Sequence, residues 1–166
     1  MNYRIVKYVE LSGRRATVYS LVPANGSQTL FDTLLQECAS QYPTETKNLL
    51  AKLRAMGQQT GLRKDLFRLD EGLPGDMVVA VSDDAKATLR AYGIRYGNSI
   101  LLLGGGGPKF VRAWQDDPKL KQAAEKMIAI SRAMMEKTKN REITWTPDEM
   151  EWTGDLTIEI DDDEDA

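Results

Sequence analysis

Two short stretches gather the residues best suited to act on a phosphate: "GLRKDLFRLD" at 61–70 and "LRAYGIRYG" at 89–97. The first offers Arg63, Lys64 and Arg68, and the second Arg90, Tyr92, Arg95 and Tyr96. Downstream, "NSILLLGGGGPKF" at 98–110 runs aliphatic residues into four glycines, with Lys109 near its end and Arg112 just beyond. A guanidinium grips phosphate through a planar fork of donors, and a tyrosine ring stacks on a base. Arginines set beside tyrosines on one sheet therefore make a plausible RNA surface. In an unbulged strand Arg90, Tyr92, Ile94 and Tyr96 share one face, and Arg95 points to the other. The competing reading is that these long side chains only cover the sheet edge with their apolar stems.

The glycine run raises a separate question. A phosphate-cradling loop of the form G-x-x-x-x-G-K-[ST] needs converging backbone N–H donors at a helix start. "GGGGPKF" lacks the Ser or Thr after Lys109, and Pro108 removes a donor. No strand–helix–strand unit surrounds the run, so a dinucleotide fingerprint fails too. The expectation is a strand that ends at the glycines, where a missing side chain allows a sharp exit.

Composition narrows the chemistry further. The chain has 166 residues, no histidine and one cysteine, Cys38. Histidine-dependent triads, zinc clusters and an intrachain disulfide are excluded, and no metal or cofactor is expected. Cys38 reads as a small buried hydrophobe. No apolar run approaches the ~20 residues that span a bilayer, so the expectation is a soluble, cytoplasmic protein with no membrane partner. All 22 lysines and arginines fall in residues 1–141, beside 14 acids, while residues 142–166 carry 11 acids and no base. A basic body suits a polyanionic partner, and an acidic tail can fold back over the basic sheet and screen it.

The elements that must position these residues follow from periodicity. "YRIVKYVE" and "RRATVYSLV" read as an N-terminal hairpin. Ser27 is the expected cap of a helix over 28–41 that carries Leu30, Leu34, Leu35 and Cys38 on one face. Tyr42-Pro43 breaks it, and a second helix over 44–56 stops at Gly57. Strands are expected at 65–70, 77–82, 89–96 and 99–104, the last two joined by a tight Gly97-Asn98 turn. Residues 116–139 form a helix capped by Asp116 or Asp117, with Pro118 in its first turn. The last segment alternates around Ile143, Trp145, Leu156 and Ile158 as a short hairpin, and "DDDEDA" cannot bury anything. The fold class is α+β: a mostly antiparallel twisted sheet, two helices in the N-terminal half, one C-terminal helix and an acidic β-type tail. Residues 1–141 form the main domain and 142–166 an acidic extension.

The succession "LRKDLFRLDEG", "LRAYGIRYGNSILLLGGGG" and "DDPKLKQAAEKM" resembles the RelE/ParE toxin superfamily, nearest its phage-derived HigB-type branch, over about residues 3–135. The resemblance implies a cytoplasmic bacterial toxin whose partner is a small helical, DNA-binding antitoxin. Its implied activity is cleavage of mRNA on the ribosome, the RNA 2′-hydroxyl attacking the adjacent phosphate while the protein moves protons and supplies positive charge. In those terms Arg90 and Arg95 hold the scissile phosphate, and Tyr92 or Tyr96 stacks or relays a proton. Lys109 stands nearest the family's basic exit loop, and Arg63, Lys64, Arg68 and Arg112 are placed to bind RNA. Without histidine, proton transfer falls to a lysine, tyrosine or carboxylate of shifted pKa. The alternative is a non-catalytic member of the same fold, a gyrase-type inhibitor or adapter, with the acidic tail over its basic face.

Overall fold

The β-branched and aromatic residues at the chain start do pair as a hairpin. In the computed structural model, which describes residues 1–69, 72, 75–83, 88–109 and 117–161, β1 (Asn2–Lys7) runs antiparallel to β2 (Thr17–Pro23). Helices α1 (Leu30–Ala39) and α2 (Pro43–Ala55) follow, then β3 (Val78–Ser82), β4 (Leu89–Tyr96) and β5 (Ile100–Pro108). Helix α3 (Pro118–Lys139) leads to a two-stranded hairpin, β6 (Ile143–Trp145) and β7 (Trp152–Gly154), and to β8 (Thr157–Glu159). The main sheet has the order β3-β4-β5-β2-β1-β8, antiparallel throughout except for the parallel β2–β5 pair. The architecture is α+β, with three helices on a mostly antiparallel mixed sheet.

Alternation along the strands divides the core into two clusters. Tyr19, Leu21, Val78, Ala80, Tyr92, Ile94, Ile100 and Leu102 face α3 and the C-terminal segment. Val18, Val79, Val81, Leu89, Ala91, Leu101 and Leu103 face α1 and α2. A sheet covered on both sides needs apolar residues at successive positions, which is why "ILLL" can occupy a strand without a polar face. Among the described residues no helix is long and apolar enough to cross a membrane.

Several local expectations change. Thr29, not Ser27, caps α1: its hydroxyl accepts the Asp32 N–H at 2.9 Å, whereas Ser27 lies two residues too early to reach that donor. Thr29→Ala should cost about 1 kcal/mol, measured as a shift of the urea midpoint. Pro43 starts α2 rather than merely ending α1. The helical backbone passes Gly57 as a π turn over Met56–Thr60 and leaves at Gly61, whose φ of 72° suits glycine. Over the described residues 65–69 the expected strand does not form. Lys64–Leu66 forms a 3₁₀ turn, and among the described residues of this stretch only Arg68 pairs with the sheet, against Ala80. The β4–β5 turn holds three residues, Gly97 to Ser99, between the paired Tyr96 and Ile100.

The glycines bring the largest revision. Gly104 to Gly107 lie inside β5, which continues to Pro108. A bulge occurs there, with the register slipping between Ala91 and Gly93 of β4. A Cβ on Gly106 would strike the Arg90 carbonyl oxygen, and one on Gly104 would strike the Met127 sulfur. Close strand and helix approach, rather than a chain exit, therefore accounts for those two glycines.

Candidate functional site

Strand β4 carries most of the candidate residues, and its geometry separates them. Arg90 is 1% exposed, the largest fully buried side chain among the described residues, and Tyr92 is completely buried too. Arg95 projects to the opposite face. Its Nε donates to the Leu62 carbonyl at 2.7 Å, and one terminal nitrogen donates to Asn98 Oδ1 at 2.6 Å. Burial lowers the guanidinium's pKa. Five residues of strand put Arg90 and Arg95 roughly 17 Å apart along β4. One phosphate cannot be gripped by both. Arg95 instead fastens the end of β4 to the loop after α2.

Tyr96 closes the buried face. Its ring meets Trp152 edge-on at 5.1 Å and Trp145 at 6.0 Å, and Trp152 stacks on Tyr19 at 4.8 Å. The backbone N–H of Trp152 donates to the Tyr19 hydroxyl at 3.0 Å. The Tyr96 hydroxyl is buried without a hydrogen-bond partner among the described residues, and burial raises its pKa above the ordinary tyrosine range. A group so placed is a poor proton relay at neutral pH. Burying an unpaired hydroxyl costs stability, so Tyr96→Phe should leave stability unchanged or raise it by up to about 1 kcal/mol.

The same shift sets a pH dependence. Tyr8, held by the Asp32 carboxylate at 2.6 Å, and Tyr19 also have raised pKa values, both chiefly through burial. Above pH 10 the unfolded chain releases protons that these folded tyrosines keep, so stability should be level up to about pH 9 and fall beyond pH 10. Urea titrations across that range check the sign, and Tyr96→Phe should flatten the fall.

The remaining basic residues divide between the two ends of the sheet. Arg63 and Asp65 form an exposed two-pronged pair at 3.0 and 2.6 Å, which raises the arginine's pKa and lowers the aspartate's. Lys64 is exposed beside them, and exposed Arg68 lies along the β3 edge. Lys109 lies at the opposite end, its backbone N–H donating to Thr88 O at 2.8 Å. It is therefore the length of β4 away from Arg95. Arg112 lies outside the described residues.

The structure thus brings Arg63, Lys64 and Arg95 together at the β4–β5 turn, where Leu62 N–H donates to Asn98 O at 2.9 Å. It adds two residues that the sequence places at the start of a hairpin strand and not among the site candidates. Arg14 and Arg15 are exposed, and the Arg15 N–H donates to Gly57 O at 2.8 Å. The Arg15 carbonyl lies 3.6 Å from where a Cβ on Gly61 would sit. The adjacent arginines were the signal, but their pairing partners lie more than 40 residues away. The acidic β6–β7 turn reaches this rim. Lys7, Arg14, Asp148 and Glu151 line a cleft of about 460 Å³, Ser99 Oγ donates to Glu149 O at 2.9 Å, and Lys7 pairs with Glu151 at 3.1 Å. That pair is exposed and contributes at most about 1 kcal/mol. The apolar burial of Trp152, not charge, holds the hairpin down.

Comparison with protein-family models, characterised proteins and solved structures finds no match to this chain.

Proposed function

We infer that this chain is a non-catalytic binding protein on a RelE/ParE-like fold, a gyrase-type inhibitor or adapter rather than a nuclease. The observation that carries the reading is the burial of Arg90 and Tyr92, Tyr92 within the cluster beneath α3, with Arg95 held by the Leu62 carbonyl. The side chains that resemblance assigns to phosphate chemistry then serve packing. The exposed basic rim of Arg14, Arg15, Arg63 and Lys64 is the surface we assign to an acidic partner. The β6–β7 turn beside it limits which partners fit.

Expression in a bacterial host separates the readings. A gyrase-type inhibitor arrests growth with DNA-damage filaments, and an adapter leaves growth unchanged. New RNA ends within translated codons would overturn the inference in favour of the endonuclease. Charge reversal of the rim, Arg63→Glu with Lys64→Glu, should weaken binding to a captured polyanionic partner at low salt and matter little at high salt. Titration at two ionic strengths checks this.

A further inference from the structure

The β2–β5 pairing stops short. Thr17–Ser20 pair with Ile100–Leu103, yet β2 continues to Pro23 and β5 to Pro108. At the fork the Ser20 hydroxyl donates to the Leu103 carbonyl at 2.7 Å. These neighbouring parallel strands lead into helices on opposite faces: α1 buries Phe31, Leu34 and Cys38 in one cluster, and α3 buries Ala124 and Met127 in the other. Beyond the carboxyl ends of two such strands a sheet opens a crevice, and ligands favour it.

A cavity of about 200 Å³ occupies this position, bounded by Gly105 and Gly106, by Leu34 and Glu37 of α1, and by Lys119, Lys126 and Met127 of α3. We propose that it is a binding site for a small organic anion, a ring or short chain carrying one phosphate or carboxylate. Its volume is below the ~300–1,000 Å³ of drug-sized sites, which restricts the ligand to on the order of ten non-hydrogen atoms.

The glycines support the assignment. Gly104, Gly106 and Gly107 each face an atom that crowds a Cβ, but Gly105 does not: its nearest such neighbour is the Leu30 carbonyl oxygen at 3.8 Å. Among the described residues, packing gives no reason for glycine there. Its effect is to leave the crevice floor open. Charge sets the ligand's sign. Lys119 is paired with Glu37 at 3.0 Å, so the described residues of the lining carry a net single positive charge, centred on Lys126. Lys126 lines the cavity, and its ammonium also sits 5.7 Å from the ring of Tyr3, which lies outside the lining, so an anion in the cavity competes with that ring for the charge. Leu34 and Met127 supply the apolar wall for the rest of the ligand.

The probes are phenyl phosphate, benzoate, inorganic phosphate and phenol, titrated into the full-length protein by calorimetry and amide NMR. At least one of the two aryl anions should bind with a dissociation constant on the order of 1 mM or tighter, and which binds better distinguishes phosphate from carboxylate. Inorganic phosphate and phenol should each bind about ten-fold more weakly than that anion. Lys126→Ala should weaken binding about ten-fold, and Glu37→Gln should strengthen it two- to three-fold, as roughly expected for one charge near the surface. Gly105→Val should block the site. Because that variant can also disturb the fold, Glu37→Gln, an exposed change of equal size, provides the independent reading. Failure of both aryl anions to saturate, equal affinity for inorganic phosphate or phenol, or a Glu37→Gln response of the wrong sign overturns the proposal.

Discussion

Removal of residues 142–166 is expected to unfold the protein rather than uncover a basic face. Ile143, Trp152, Ile158 and Ile160 are all buried in the cluster beneath α3. At about 1.5–3 kcal/mol for each buried apolar side chain, their loss amounts to about 8 kcal/mol, comparable with the ~5–15 kcal/mol that keeps a domain folded. The segment also completes the sheet edge. Tyr3 pairs with Ile158, the Ile160 N–H donates to Met1 O at 3.0 Å, and the Ile5 N–H donates to Leu156 O at 2.8 Å. Truncation should therefore abolish the cooperative thermal transition in far-ultraviolet circular dichroism. Neutralising the exposed acids instead, with Glu149→Gln, Glu151→Gln and Asp155→Asn, should lower Tm by only a few degrees. A 1–141 fragment that melts cooperatively near the full-length Tm would contradict the packing described above.

The second large effect lies in the glycine strand. Gly106→Ala places a methyl group against the Arg90 carbonyl oxygen, a backbone atom held in the β4–β5 ladder. Neither strand can yield without breaking its pairing, so the substitution should destabilise by about 3 kcal/mol, the upper range for overpacking. Gly105→Ala, one residue away, meets nothing closer than 3.8 Å and should cost less than about 1 kcal/mol. Paired urea denaturations of the two variants measure the difference. Equal losses would mean that general backbone flexibility, rather than one specific approach, explains the run.

Much of the frame is legible in the sequence because it is set by short-range rules. The β1–β2 hairpin, the strand at 89–96 and the Asp117-capped helix follow from alternation, helical spacing and side-chain caps that act within a few residues. Asp117 accepts the Lys119 and Leu120 N–H groups at 3.0 and 3.2 Å, as its position before Pro118 suggests. Features set by distant contacts were not legible. Glycine reads locally as a strand breaker, yet Gly106 is required by the Arg90 backbone and Gly104 lies against the Met127 side chain, neither of which any window around 104–107 contains. Likewise "DLFRLD" has strand-like composition, but among its described residues only Arg68 finds a partner strand.

The candidate site shows the same division. Alternation along β4 turns Tyr92, Ile94 and Tyr96 toward the same cluster, although the β4–β5 register slips between Ala91 and Gly93. Whether that face meets water depends on α3 and on Trp152, and the sequence offers no local sign of that covering. Charge was a misleading guide for the C-terminal segment. Its 11 acids suggested an electrostatic screen, while four buried apolar residues secure it.

The central claim is that the arginine–tyrosine face of β4 is sealed and that the protein binds rather than cuts. The most direct measurement maps RNA 5′ ends after purified full-length protein is added to ribosomes translating a defined mRNA. No codon-phased ends above the protein-free control are expected, at any protein concentration up to saturation of the ribosomes. Phased ends that disappear in a folded Lys109→Ala or Arg95→Ala variant would contradict the account.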